Sequence, residues 1–368
     1  MHQTKRGGGV REPRTVIIYK HDAAGGARLA ARGTGESTEM GTMTYHEALT
    51  LALYEEMRRD ERVFVIGEGV GLNDGAYEMT ERLLSEFDAR RVVHLPTAES
   101  GFTGVGIGAA MVGLRPVVEM STFNFALLAL DQIVNTAANL CYLSGGQYNV
   151  PIVIRGPAGP AHQCAAQHSQ SMKGYFYHVP GLKVVCPSTP ADAKGLLKSA
   201  IRDDNPIIFI ESETLYDIKG EVPYDPDFTI PLGKAVVRRE GRDVTVVAYI
   251  GMLYCAMEAA EELDKDGISV EIVDPRTLRP MDEKTIVGSV RKTHRAAVVE
   301  SGAGFAGWAS EIASFITEQA FDDLDAPVER ITGANAPTPY AKNLERLSTP
   351  TPEKIVEAIR RVSYANGS

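Results

Sequence analysis

The sequence predicts an α/β protein of two doubly wound, mostly parallel-sheet domains. Three observations point there. Apolar runs of strand length alternate with amphipathic segments of helix length from about Met43 onwards, the order that places crossover helices between parallel strands. At 368 residues the chain can bury two cores of ordinary size. A stretch with Pro223 and Pro226 among acids, residues 216–230, interrupts the alternation. The expected plan is an extension over 1–42, a first domain over 43–215, a linker over 216–230 and a second domain over 231–368.

Composition narrows the function classes. Apolar content of 44% and charged content of 23% suit a globular protein with ordinary cores. A net charge of −10 without a basic stripe argues against nucleic acid as a partner. Apolar runs such as 244–257 are too short to span a bilayer, so no membrane role is expected. The 4 cysteines show no CxxC spacing, which fits a reducing compartment without a zinc site or disulfide frame. Residues 1–40 are rich in Gly, Ala and Arg around one apolar patch, 16–19. A disordered extension is expected there, with a transit peptide as the alternative; the expected compartment is the cytoplasm if the chain is bacterial and the mitochondrial matrix if the extension is a transit peptide.

In the first domain, Thr44 and Glu47 form a capping box ahead of a helix with the stripe Ala48, Leu49, Ala52, Leu53 and Met57. A strand at 63–66 ends in Gly67-Glu68-Gly69-Val70, which puts Glu68 at a strand's carboxyl end. Asn73-Asp74-Gly75 reads as a turn and 77–87 as a helix. The strand at 91–95 is ended by Pro96, and Glu99 then stands at a helix start, near unpaired backbone N–H groups. From the local pattern alone, a plain helix-terminal charge accounts for Glu99. Gly101, Gly104, Gly106, Gly108 and Gly113 follow. Each glycine within a helix costs about 1 kcal/mol against alanine, so close backbone approach to another chain or a cofactor is expected. The GxGxxG dinucleotide fingerprint fails, because Met111 follows Gly106-Ile-Gly108-Ala-Ala. Thr122-Phe123-Asn124-Phe125 sits at the end of the next strand, 117–120, where open parallel sheets place ligands; ordinary core is the alternative for both phenylalanines.

A helix is expected at 127–140 and a strand at 152–155. The long loop 156–171 carries His162 and His168, and glutamines and serines beside His168 suggest hydrogen bonds that fix its tautomer. Strands at 183–187 and 207–211 flank a helix from Pro190 to about Arg202. In the second domain, strands are expected at 244–249, 269–273, 296–300 and 327–331, with a closing helix at 352–362. Arg276 and Arg279 follow the second of these strands and suit gripping an anion or a neighbouring subunit, with surface pairing as the alternative. No dense cluster of catalytic residue types occurs here, so this domain reads as an assembly platform.

These stretches together resemble the beta subunits of the thiamine-diphosphate-dependent 2-oxoacid dehydrogenases, the decarboxylating first components of large multienzyme complexes. The likeness runs over 43–364. It is carried by GEGVGLNDGAY (67–77), PTAESGFTGVGIGAAMVGLRPVVEMSTFNF (96–125), AAQHSQS (165–171), SAIRDDNP (199–206), DPRTLRPMD (274–282) and TGANAPTPYAK (332–342). DGAY and STFNF resemble the branch that acts on pyruvate, with branched-chain 2-oxoacid and acetoin dehydrogenases as alternatives.

The resemblance implies a transketolase-like pyrimidine-binding domain followed by a transketolase C-terminal-like domain. It implies that Glu99 hydrogen-bonds the aminopyrimidine of thiamine diphosphate and promotes loss of the thiazolium proton. Phe125 matches the aromatic that packs on that ring, and Glu68 a second acid near the cofactor; Gly69 departs from relatives that carry a further acid. His168 matches a loop histidine that assists intermediates or the incoming lipoyl group. Ile152, Ala200, Ile201, Asp203 and Asn205 match positions that hold potassium in some relatives, partly through backbone carbonyls; a capped helix end is the alternative. The family holds the diphosphate through a magnesium site written GDG, and no GDG occurs in this chain. The resemblance therefore implies an α2β2 heterotetramer whose alpha subunit brings GDG and Mg2+, and a lipoyl-bearing dihydrolipoyl acyltransferase that takes the acyl group.

Overall fold

Most of the chain's strands line up side by side with helices crossing between them, as the alternation of apolar runs requires. The computed structural model describes residues 16–21, 27–32, 39–71 and 80–364. In chain order the strands are β1 (Val16–His21), β2 (Ala27–Arg32), β3 (Met40–Thr44), β4 (Val63–Glu68), β5 (Val92–Leu95), β6 (Arg115–Glu119), β7 (Val153–Pro157) and β8 (Lys183–Val185), then β9 (Ile207–Glu211), β10 (Lys219–Pro223), β11 (Val236–Arg239), β12 (Val244–Ala248), β13 (Val270–Asp274), β14 (Thr277–Arg279), β15 (Ala296–Ala303) and β16 (Glu329–Gly333).

The first domain is built on a 7-stranded sheet in the order β14-β8-β9-β7-β6-β4-β5, parallel except where β14 joins β8 antiparallel. The second is built on a 5-stranded sheet in the order β11-β13-β12-β15-β16, parallel except at β11. The inner strands β7, β9, β12 and β13 are buried along their whole length, as sheets covered on both faces demand.

Local signals set the helix starts. Thr44 accepts from the backbone of Glu47 and Glu47 answers it, which starts the helix Tyr45–Arg59. Thr189 and Asp192 repeat the device at Pro190–Arg202. These two helices pack together. Charged contacts between them fix their register: Lys194 meets Glu55 at 2.9 Å and Arg202 meets Glu56 at 2.6 Å. Both lysines of this seam, Lys194 and Lys198, are fully buried. Buried pairs of this kind add little net stability, because desolvation offsets attraction, but they penalise any other register.

Several expectations need correction. The segment 216–230 is no free linker: β10 lies within it and pairs antiparallel with β3, Val222 is buried, and Ile230 N–H donates to Gly195 O at 3.1 Å. β14, from beyond that segment, completes the first sheet, so the two domains interlock. The expected helix at 127–140 is three pieces: a 3-10 turn Phe123–Ala129, a π turn Gln132–Ala137 and a short α turn Leu140–Leu143. β11 and β14 were not anticipated. Within the expected extension, β1 and β2 pair antiparallel. The turn Asn73-Asp74-Gly75 and the start of the helix expected at 77–87 lie outside the described residues; the described part of that helix is Glu81–Phe87.

Candidate active site

The carboxyl ends of the parallel strands gather the singled-out residues, as open α/β sheets do. Register brings the strand ends level: Glu68 is opposite Leu95, Gly67 opposite Glu119, and Glu119 opposite Arg155. From β5 the chain turns through Pro96-Thr97-Ala98 into the helix Glu99–Met111, so Glu99 is that helix's first residue. Glu99 is only 5% exposed, yet its carboxylate has no hydrogen bond or ion pair among the described residues. Ala98 gives the helix start no side-chain cap. Glu68, at the end of β4, accepts a hydrogen bond from the Thr97 hydroxyl, which ties the two strand ends together. Ser100 Oγ meets Gln132 Oε1 at 3.1 Å and holds the helix to the π turn.

Phe125 and His168 come together from distant parts of the chain. Their rings meet edge to face, with centroids 5.2 Å apart at 81°. The support lies in Asn124, which sequence reading passed over. This buried amide donates to Thr122 Oγ1 at 2.7 Å and accepts from Gln170 N–H at 3.0 Å, so it clamps the His168 loop onto the turn after β6. The anticipated hydrogen bonds to the His168 ring are absent among the described residues; Gln170 positions the backbone instead. The helix Glu99–Met111 packs on the turn Phe123–Ala129, which carries Phe125.

Behind this edge lies a buried charge triad that sequence reading also missed. Arg155, 1% exposed, donates from Nη1 to Glu119 Oε2 at 2.9 Å and from Nε to Glu211 Oε1 at 2.7 Å. Tyr216 donates to Glu211 Oε2 at 3.0 Å. Burial pushes the Glu119 carboxyl upward even though Arg155 pulls it down. The signal available was a charged residue at or near the carboxyl end of each of three largely apolar strands.

Other candidates fall elsewhere. His162 is exposed and 4.0 Å from Glu213, away from the pair just described. Arg276 is spent internally, with Nε donating to Lys234 O at 3.0 Å, Nη2 to Ala235 O at 3.3 Å and Nη1 to Asp192 Oδ1 at 3.4 Å, while Arg279 donates from Nη1 to Tyr177 O at 2.8 Å. Ala200 and Ile201 end the helix Pro190–Arg202, Asp203 caps it, and Ile152 O accepts from Ile207 N–H at 2.9 Å. Two oxygens of this group, Ile201 O and Asp203 O, accept from Arg115 Nη1 at 2.9 and 3.0 Å. Asn205 bonds back to Asp203 Oδ1. A cavity of about 1240 Å³ opens between the two domains, and none of Glu68, Glu99, Phe125 or His168 lines it.

Comparison with known proteins fits this geometry. Residues 41–219 match the transketolase pyrimidine-binding domain and residues 233–355 the transketolase C-terminal domain. Over 328 residues the chain is 55% identical to the pyruvate dehydrogenase E1 component subunit beta of Rhizobium meliloti, covering 89% of this chain and 71% of that one. It is 48% identical to the mitochondrial subunit beta of Dictyostelium discoideum, with 88% and 92% covered. The chain belongs to the pyruvate dehydrogenase E1 beta family. Among solved structures, a split-gene transketolase described as an inactive beta4 tetramer superposes with a TM-score of 0.68 at 22% identity, covering 88% of this chain and 98% of that one. A transketolase mutant from Pichia stipitis gives 0.63 at 15%, covering 89% and 47%; both show the fold.

Transketolase-like families depend on thiamine diphosphate, and the beta-subunit residues here fit one end of that cofactor. Glu99, a largely buried residue whose carboxylate is unpartnered, suits a ring nitrogen, and the edge formed by Phe125 suits an aromatic face. The other end lacks its residues: the sequence has no GDG, and no group of three His, Cys, Asp or Glu that could hold a metal occurs among the described residues.

Proposed function

We infer that this chain is the beta half of a pyruvate-decarboxylating enzyme that needs an alpha subunit to complete each site. One observation carries the reading: Glu99 is buried and unpartnered at the start of a helix that packs on the turn carrying Phe125, where Phe125 meets His168, in a chain without a diphosphate-holding motif. Thiamine diphosphate, when bound, supplies a carbon nucleophile and an electron sink for decarboxylation of a 2-oxoacid. Glu99 would share a proton with the pyrimidine ring, where exclusion of water strengthens such a bond. Phe125 would present an apolar face to that ring and keep water from Glu99. His168, on the loop clamped by Asn124, would donate a proton to, or position, the substrate or the lipoyl group of an acyltransferase. Glu68 would steady the strand end beside Glu99 through Thr97.

The alpha subunit would bring Mg2+ and the diphosphate-binding residues in an α2β2 assembly. Exposed apolar side chains along and just after the helix from Glu99 (Val105, Val112) and in the segment after Phe125 (Leu128, Tyr142) support a partner surface on these elements. The names of the relatives favour pyruvate over branched-chain 2-oxoacids or acetoin, and a substrate profile of the assembled enzyme tests that choice. A potassium ion at Ile152, Ala200, Ile201, Asp203 and Asn205 would share two carbonyl oxygens with Arg115; equal melting temperatures in potassium and choline chloride would refute it.

The central test is Glu99→Gln, which keeps the shape and removes the acid. Purified with its alpha partner, it should lose about 10²- to 10⁴-fold in decarboxylation, the usual range for a positioned acid–base group. Activity within about threefold of the parent would sink the assignment.

A further inference from the structure

Lys173 is 2% exposed and lines the interdomain cavity of about 1240 Å³. A lysine ammonium carries three donors, and buried lysines are normally paired. Lys173 Nζ has no hydrogen bond or ion pair among the described residues; it lies 5.5 Å from the Tyr249 ring centroid. The nearby buried acid Glu300 is engaged elsewhere, by the Tyr249 hydroxyl at 3.2 Å and Ala309 N–H at 3.0 Å. Two acids also line the cavity. Glu345 accepts from Gln163 N–H at 3.2 Å, and Glu353 meets Arg346 at 3.5 Å.

The same cavity receives the start of the helix Gly251–Asp264. Its cap residue is Ile250, which offers no side-chain acceptor, and Gly251 N–H has no partner among the described residues. Ile250 sits at φ 52°, a costly conformation for a β-branched residue, held by a bond from its N–H to Ser188 Oγ at 2.8 Å. The helix start and the unpartnered lysine thus face one space, a combination that favours an anion. The remaining walls are largely apolar, with Leu215, Ile218, Met252 and Tyr254 among them.

We propose that this cleft binds an organic monoanion, a carboxylate with an apolar tail. The headgroup sits on Lys173 and the first turn of the helix Gly251–Asp264, and the tail runs along the apolar wall. Lys342, Arg346 and Lys354 also line the cleft, but they are exposed; Lys173 is its one buried cation, and one buried cation with one helix start matches one negative charge better than a phosphate's two. The volume exceeds what an inorganic anion fills and is large enough for an organic ligand.

The experiment uses the full chain with any subunit that copurifies, titrated calorimetrically with octanoate, octanol and octylammonium. Octanoate should bind once per chain, and at least about tenfold tighter than the other two, as expected when a charged hydrogen bond is made. Lys173→Met should lose about tenfold in octanoate affinity and Lys173→Arg should keep most of it. Should Lys173→Met fail to fold, crystals of the parent protein with bromo-octanoate decide, because the anomalous peak must fall in this cleft. Equal binding of octanoate and octanol, unchanged affinity in Lys173→Met, or a peak elsewhere overturns the proposal.

Discussion

The glycines of the helix that begins at Glu99 offer a test with opposite signs at two neighbouring positions. At Gly106 an added Cβ would lie 2.9 Å from Val118 Cγ2 and 3.2 Å from Ile152 Cδ1. Val118 is β-branched and stiff, so the sheet must give way, and overpacking of this kind costs about 1–3 kcal/mol. Alanine returns roughly 1 kcal/mol of helix propensity, which leaves Gly106→Ala destabilised by roughly 0–2 kcal/mol. At Gly108 an added Cβ meets nothing within 4 Å, so Gly108→Ala should gain up to about 1 kcal/mol. Urea unfolding of the purified chain, followed by circular dichroism, should place the two midpoints on opposite sides of the parent with unchanged slopes. Coincident midpoints, or a Gly108→Ala variant weaker than Gly106→Ala, would refute the packing argument. Gly108 shares the exposed face with Val105 (56% exposed) and Val112 (80% exposed). A Gly108→Ala chain that is more stable alone but copurifies less alpha subunit would mark that glycine as an assembly requirement.

Other outcomes follow from the buried charges. Arg155→Met strands Glu119 and Glu211 without their cation and should cost roughly 3–5 kcal/mol by chemical denaturation, whereas an exposed pair such as Arg361–Glu329 should cost under about 1 kcal/mol. The interdomain contact of Arg238 with Asp192 and Asp274 gives a pH signature. Burial, reinforced by Asp192, pushes the Asp274 carboxyl from 3.8 up to about 6. The folded chain therefore holds an extra proton between those values. This contribution favours folding at low pH and fades as pH rises through about 6. Asp274→Asn should flatten that part of the stability profile; an unchanged profile between pH 4 and 6 would show that Asp274 titrates like a free carboxyl.

Much of the site was legible because its signals are local. The capping boxes at Thr44 and Thr189, the strand-ending Pro96 and the placement of Glu68, Glu99 and Phe125 at strand ends all depend on residues a few positions apart. The glutamines and serines beside His168 set it above His162 and the resemblance gave it a role, although the hydrogen bonds expected from those neighbours are absent among the described residues. Contacts across the chain escaped. Nothing near Asn124 announces Gln170, and nothing near Arg155 announces Glu211, because each partner arrives from another strand or loop. The helix expected at 127–140 failed for a related reason: its apolar residues have helical spacing, but the backbone there breaks into 3-10 and π turns.

By itself the sequence determined most of the strands and helices of the two sheets, that the sheets are mostly parallel, and that a diphosphate-holding motif is missing, since each depends on spacing and residue type along the chain. Tertiary structure alone decided that Phe125 meets His168, that β14 joins the first sheet, that Arg276 is consumed internally, and that Lys173 is left without a partner beside a helix start. The physical reason is that pairing and burial are properties of neighbours in space, and a chain's spacing does not reveal which distant groups will compete for the same donor.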